Sequence, residues 1–387
     1  MMSQCSRRQF LRNISMASLA AGAAVATSGC PSLTTPPYAP STGTAEVVAV
    51  RGRDLYQMAR DALDAWGGAK AIINRGESVF LKPNLLTVDW ITANPVTSGE
   101  CTKVEIVVAV AEACLEAGAR EVIIGDGAQI DQFSYSQWPT LDGQSDMAAE
   151  ATRLNNRYGN RVRLACLSVD SPAWDTILSP WSGLGKIHVS SLAARADRII
   201  SLPVAKTHLI TQVTFALKNM MGVTSPIHYG MGTPSRLGLH FAKGGIEQAF
   251  LDIVRALQPD FTIIDFSICC EGNGPAVVPD IMSETVDMRD RLGDWLLLAG
   301  RDLAAASAVG SRIMGIEPEN VKHLRMAHEQ GFGQIRADSI DLRGERLEDL
   351  QVAWTPASMA TLFTKGLGPE YPEDPPERWM LEYLAGA

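Results

Sequence analysis

The 387-residue chain lacks the short motifs that would name its chemistry outright. Its seven cysteines are Cys5, Cys30, Cys101, Cys114, Cys166, Cys269 and Cys270, and none stand in C-x-x-C spacing. That argues against structural zinc and predicts no iron–sulfur cluster, since both need closely grouped thiolates. Cys114 falls in an apolar helical pattern and reads as core. Cys269 and Cys270 are adjacent, would make only a strained bridge, and read as free thiols. There is no H-E-x-x-H zinc motif, and no phosphate-loop or dinucleotide fingerprint. The segment Glu271-Gly272-Asn273-Gly274-Pro275 is glycine-rich, but Pro275 and Pro279 deny it the helix those fingerprints require. It reads as a tight turn that carries backbone amides, Glu271 and Gly272 toward a ligand. Long apolar runs are missing beyond the N-terminus, so no later segment is expected to span a membrane. Positive charge is also scarce: the net charge is −9. An acidic chain repels phosphate backbones, which excludes nucleic acid as an expected partner.

The basic residues that do occur early are clustered. Ser6-Arg7-Arg8-Gln9-Phe10-Leu11-Arg12 has the arginine pair read by the twin-arginine export machinery. An apolar stretch of mostly Ala, Gly and Ser follows from Ile14 to Gly29, too short to span a bilayer. Residues 1–29 are therefore expected to be an export signal, and export to place the protein in the periplasm or on the outer face of the cell membrane. Losing the signal removes three arginines and no acid, taking the net charge from −9 to −12. Thr27-Ser28-Gly29-Cys30 is similar to a lipoprotein cleavage box, with Cys30 as the lipidated residue and the membrane as partner through that anchor. Cleavage after Ala24-Val25-Ala26, giving a soluble protein, is the alternative. Residues 30–45, rich in Pro, Ser and Thr, read as a linker.

From 46 to about 350 apolar runs alternate with helical patterns, which predicts an α/β fold: a mostly parallel sheet flanked by helices. Strands are expected at Val47–Val50, Ser78–Leu81, Glu121–Gly125, Val162–Val169, Arg198–Leu202, Phe261–Ile264 and Leu296–Ala299. Helices are expected at Leu55–Ile73 (interrupted at Gly67-Gly68), from Val104 to about Glu116, at Ser145–Tyr158, Leu192–Ala196, Ile246–Leu257, Asp302–Met314 and Pro318–Gln330. Thr102-Lys103-Val104-Glu105 reads as a capping box, and Gly118 as a helix stop. Residues 351–387 are expected to wrap the surface.

Chemistry collects after the strands. Lys82 and Asn84, Asp126, Lys206 and His208, Asp265 with Glu271, and Asp302 each follow one. Parallel strands deliver their carboxyl ends to one edge, where open α/β sheets bind ligands. The segment from Lys206 to His240 is densest, adding Lys218, Asn219, Gly222, His228 and His240. Lysines, an asparagine amide and hydroxyls suit a phosphate or carboxylate.

These pieces, in this order, resemble the family catalogued as domain of unknown function 362. The resemblance rests on Leu81-Lys82-Pro83-Asn84, Gly125-Asp126-Gly127, Asp197-Arg198-Ile199-Ile200, Lys206-Thr207-His208, Leu217-Lys218-Asn219, Gly222, Asp265, Glu271-Gly272, Gly274-Pro275 and Asp302, over about residues 76 to 345. It implies an α/β domain of undefined activity. Many relatives add a ferredoxin-like cluster domain, whose Cys-rich motifs this chain lacks.

Three functions compete. The first is an enzyme acting on a small anion, held by Lys82, Lys206 and Lys218 with Asn84, Asn219, Glu271 and Gly272. His208 would be its general acid or base, and Lys206, Asp126 and Asp265 would share the catalysis. The second is a lipoprotein that binds the same ligand without chemistry. The third is a divalent-metal enzyme with His208, His228 or His240 and carboxylates as ligands.

Overall fold

The computed structural model describes residues 39–86, 96–128, 133–169, 173–179, 183–230, 236–277 and 283–358. The expected export signal, Cys30 and the chain beyond residue 358 lie outside the described residues. The strands are β1 (Ala45–Gly52), β2 (Ser78–Pro83), β3 (Glu121–Asp126), β4 (Val162–Cys166), β5 (Trp174–Ser179), β6 (Gly185–Ser190), β7 (Arg198–Leu202), β8 (Val204–His208), β9 (Gln212–Thr214), β10 (Phe261–Gly272), β11 (Ser283–Asp287), β12 (Trp295–Gly300) and β13 (Ile340–Arg343). The main sheet runs β13-β1-β12-β10-β7-β2-β3-β4, with β11, β8 and β9 attached at the far end of β10. From β10 through β7, β2 and β3 to β4 every pairing is parallel.

Apolar sequence explains that centre. All residues of β2 and β10 are buried, as expected for strands covered on both faces. Helices α1 (Leu55–Asp64), α2 (Val104–Glu116) and α3 (Met147–Tyr158) cover one face, and α4 (Ala216–Asn219), α5 (Gly245–Leu257), α6 (Leu303–Ile313) and α7 (Lys322–Glu329) the other. Asp54 and Asp146 cap α1 and α3 through bonds from Gln57 N and Ala149 N. Gly118, at φ 92°, turns the chain out of α2 in the left-handed conformation. Among the described residues no helix is long and apolar enough to cross a membrane.

Two expectations fail for reasons that matter to the site. Helix α2 begins without the expected capping box: its N-cap is Lys103, with no side-chain cap bond, because Thr102 and Glu105 are used elsewhere. Thr102 Oγ1 accepts from Asn84 N (2.9 Å) and donates to Leu202 O (2.6 Å), tying α2 to the ends of β2 and β7. Glu105 accepts from Leu141 N (2.7 Å) instead of reaching back to the cap. More consequentially, β12 pairs antiparallel with both β10 and β1. Its carboxyl end therefore lies at the opposite edge, and Asp302 caps α6 by accepting from Ala305 N (2.9 Å) and also takes Gln334 N (2.8 Å). Asp302 is a structural cap, away from the other strand-end residues.

Candidate functional site

β2, β3 and β7 end together, and β7 passes through Pro203 directly into β8. That short turn throws Lys206 across the edge, while β9 returns antiparallel to β8, opposite Lys206 at Thr214, and leads into α4. α4 then carries Lys218 and Asn219 back over the ends of β2 and β7. The result is a cavity of about 80 Å³, several times the ~10–15 Å³ that one water needs on the same measure. Its walls include Lys82, Asn84, Asp126, Lys206, Lys218, Asn219 and Arg236, together with Gly222 and Pro275. Among the described residues, four cationic side chains thus face one carboxylate.

The cations are not equivalent. Lys82, buried, pairs with Asp126 Oδ1 at 2.5 Å and donates to Pro83 O at 2.7 Å. Asn219 braces that pair: its Oδ1 lies 3.4 Å from Lys82 Nζ, and its Nδ2 donates to Lys82 O (2.8 Å) and Ser201 Oγ (3.0 Å). Asp126 Oδ2 accepts from Leu85 N at 2.8 Å. Burial pushes the Lys82 amine down in pKa, Asp126 works against that, and Arg236 adds to it. Gly222 is required by this packing, because a Cβ there would stand 2.0 Å from Asp126 Oδ1.

Lys206 Nζ donates to Asn84 Oδ1 (2.6 Å) and Glu100 O (2.7 Å), and burial lowers its pKa as well. An ammonium has three donors, so one of Lys206's remains. Arg236 sits at φ 65° in the left-handed region and donates to Thr224 O, Ala128 O and Ser168 Oγ. Lys218 differs from all of these. It has no hydrogen-bond or ion-pair partner among the described residues. It lies deep enough for burial to dominate its titration, yet is of intermediate exposure because it borders the cavity. Burial and the neighbouring Lys206 charge bring its pKa to about 7.

Three histidines surround Lys218 electrostatically. His208 is buried and its Nδ1 accepts from Ile210 N (3.0 Å) and Thr211 N (3.3 Å). Burial, then the charges of Lys218, His240, Lys206 and His323, push it well below the ordinary histidine value. It does not border the cavity, so the expected general acid–base titrating near neutral pH is not what this geometry supplies. His240 is brought to about 4 and His323 to about 3 by burial, with Lys218 adding to both.

The other sequence candidates go elsewhere. Asp265 is fully buried one strand over, 3.2 Å from Lys103 Nζ, and its Oδ1 accepts from Ser267 N (2.9 Å) and Ser267 Oγ (2.5 Å). Its acceptors are spent, so it orients no group in the cavity. Glu271 is held by Arg291, both contacts 2.9 Å, and by Thr355. Gly272 N donates to Thr355 O at 3.0 Å. Glu271 and Gly272 thereby clasp residues 351–358, and neither lines the cavity, although Pro275 of the same turn does reach its wall. His228 stacks on His188 at the outer surface, ring centroids 3.8 Å apart. The trio His208, His228 and His240 is therefore not assembled. Among the described residues no three His, Cys, Asp or Glu side chains are arranged to hold a metal ion.

Sequence reading missed Lys103, Arg236 and His323. Lys103 was hidden inside an apparent capping box. Arg236 lies in a loop without a motif, and only its positive φ, favoured by a tight reversal, aims it inward.

By fold this is an open-sheet α/β domain whose cation-rich cavity stands at the carboxyl edge of its parallel strands. The chain belongs to the family described as domain of unknown function (DUF362), whose model matches residues 79–312, more than half the chain. It is 26% identical over 291 residues to the thylakoid-associated protein sll1697 of Synechocystis, a match covering 73% of this chain and 77% of that protein. Among solved structures it has a distant likeness to a structural-genomics protein from Thermotoga maritima, at 12% identity and TM-score 0.33, covering 73% of this chain and 59% of that one. A second is the lactate racemase apoprotein of Thermoanaerobacterium thermosaccharolyticum, at 13% identity and TM-score 0.32, covering 62% of this chain and 52% of that one. The chain thus spans a little over half the length of these solved structures.

Proposed function

We propose that this protein is an enzyme acting on a small carboxylate or phosphate bound in the cavity bordered by Lys206, Lys218 and Arg236. The observation that carries the reading is Lys218: a deeply placed amine with no hydrogen-bond or ion-pair partner among the described residues, in a cavity where, among those residues, cations outnumber carboxylates. Burying such a group costs stability, and a bound anion would remove that cost. Lys206 and Arg236 are fixed by their own hydrogen bonds, so the positive field is preorganised where negative charge would develop. His208, held neutral with Nδ1 occupied by two backbone amides, carries its proton on Nε2 and adds no charge beside Lys218.

Calorimetric titration with inorganic phosphate, acetate and oxalate tests the binding step. One of them should bind the wild-type protein and lose at least tenfold in affinity to Lys218→Met. Equal binding by the variant would place the ligand elsewhere. Turnover screens on carboxylate and phosphate substrates then test catalysis, and saturable binding with no turnover on any class would leave a binding protein instead.

We further propose that the chain is exported by the twin-arginine route and anchored through a lipid on Cys30. The signal-like residues 6–12, the box at 27–30 and the named thylakoid association of a relative support this. Lys-Lys in place of Arg7-Arg8 should hold the precursor in the cytoplasm, and Cys30→Ala should abolish lipid labelling and release the protein from membranes. Unaltered export or unaltered membrane attachment would overturn the corresponding half.

A further inference from the structure

We propose that Lys218 forms an imine with the carbonyl group of a small oxo acid, a deepening of the anion-site reading above on which it rests. The geometry separates Lys218 from every other deep lysine in the region. Lys82 is tied to Asp126, Pro83 O and Asn219, Lys103 to Asp265 and two backbone carbonyls, and Lys206 to Asn84 and Glu100 O. A nitrogen engaged in this way is not free to attack. Lys218 has none of these acceptors among the described residues, and no carboxylate figures among the charges acting on it. An amine in that position, next to another cation, is the arrangement that yields a neutral nucleophilic lysine. The environment behind it, His208, His240 and His323, is held uncharged and offers no counter-ion.

The neighbour completes the recognition. Lys206, charge-coupled to Lys218, retains one donor after its two hydrogen bonds. An oxo acid carries a carboxylate beside its carbonyl. The carboxylate would take the Lys206 donor, and the carbonyl carbon would meet Lys218 Nζ. In the reaction the Nζ lone pair forms the C–N bond, and the carbonyl oxygen gains both former N–H protons and leaves as water. C=O is exchanged for C=N with no net oxidation or reduction, so no further reactant is needed. The imine would draw electrons from the adjacent carbon, which suits proton exchange or carbon–carbon cleavage next to the carbonyl.

The test uses the purified full chain with pyruvate or glyoxylate, and sodium cyanoborohydride to reduce any imine to a stable secondary amine. Peptide mass spectrometry reads the site. The expected result is one adduct, on the peptide containing Lys218, lost in Lys218→Arg and Lys218→Met variants that remain folded and unfold as cooperatively as the wild type. Labelling at Lys218 should rise as pH passes about 7. Absence of an adduct, or labelling spread over surface lysines, overturns the inference. Acetate or oxalate binding that depends on Lys218, without trapping of either oxo acid, would sink the imine while leaving the anion site standing. Failure of both would remove both.

Discussion

Two groups of buried charge lie side by side at the strand ends, and they are built on opposite plans. In the first, Lys103 and Asp265 are both fully buried and saturate each other: the carboxylate also accepts two bonds from Ser267, and Lys103 Nζ also donates to Cys101 O and Ile268 O. In the second, Lys218 stands with no partner among the described residues, beside a Lys206 that makes two hydrogen bonds among them and so has a donor to spare. Sequence alone does not separate these groups: Asp265, Lys206 and Lys218 all read as members of one site, and Lys103 is hidden in an apparent capping box. Structure separates a closed charge pair, which holds α2 against β10, from an open group of cations on a cavity wall, the proposed place of the ligand. Closed pairs are expected to matter for folding and open ones for binding.

The largest effect should come from breaking the closed pair. Asp265→Ala strands the Lys103 ammonium in the core and should cost about 3–5 kcal/mol of stability, read by urea denaturation. A loss below about 1 kcal/mol would mean that water reaches Lys103, and the contrast with the cavity would dissolve. Gly222→Ala should come next. The new Cβ falls 2.0 Å from Asp126 Oδ1 and 2.9 Å from Lys82 Nζ, so the pair must spread. About 1–3 kcal/mol is expected for such overpacking, accompanied by weaker anion binding.

The open group should respond in the reverse sense, and pH gives the sign. Lys218 has a folded pKa of about 7 against an ordinary 10.5. Between those values the unfolded chain holds a proton that the folded chain has shed, so stability rises with pH across that window. Below pH 7 the amine is charged in both states and the folded protein bears the full cost of burying it. Lys218→Met should therefore melt higher than wild type below pH 7, by about a few degrees, and the two curves should converge near pH 10.5. A difference independent of pH would mean that the amine titrates as if in water.

Much of this site was legible because its logic is local in sequence. A strand followed by Lys-Pro-Asn, Asp-Gly or Lys-Thr-His announces polar groups at a carboxyl end, and parallel pairing then gathers Lys82, Asn84, Asp126 and Lys206, with Lys218 and Asn219 brought over by α4. What was not legible depends on tertiary pairing. Leu296–Ala299 reads identically in either direction, so nothing local warned that β12 runs antiparallel and carries Asp302 away. The hairpin β5–β6 and the attached strands β11 and β13 have too few apolar residues to stand out from loops. Burial is equally silent: His208 looks like a neutral-pH catalyst until its depth and its Nδ1 partners are known.

The smallest effect concerns Glu271, the residue on which sequence and structure disagree most directly. Its carboxylate accepts from Arg291 and from Thr355 N (2.8 Å), while Ser358 N donates to Asn273 Oδ1 (2.7 Å), so the turn after β10 fastens residues 351–358. Burial opposes ionisation of Glu271, but the bonds from Arg291 and Thr355 prevail and hold its pKa below the ordinary 4.5. The stabilisation is thus present above the ordinary value and lost as pH falls through the folded one. Because Arg291 is partly exposed, Glu271→Gln should cost under about 1 kcal/mol. The consequence should be local: faster proteolysis after Leu350 and faster hydrogen exchange at Thr355, with anion affinity unchanged. If Glu271→Gln instead lost affinity as Lys218→Met should, the glycine-rich turn would be part of the binding site after all. The line drawn between closed and open charge groups would then have to be moved to include it.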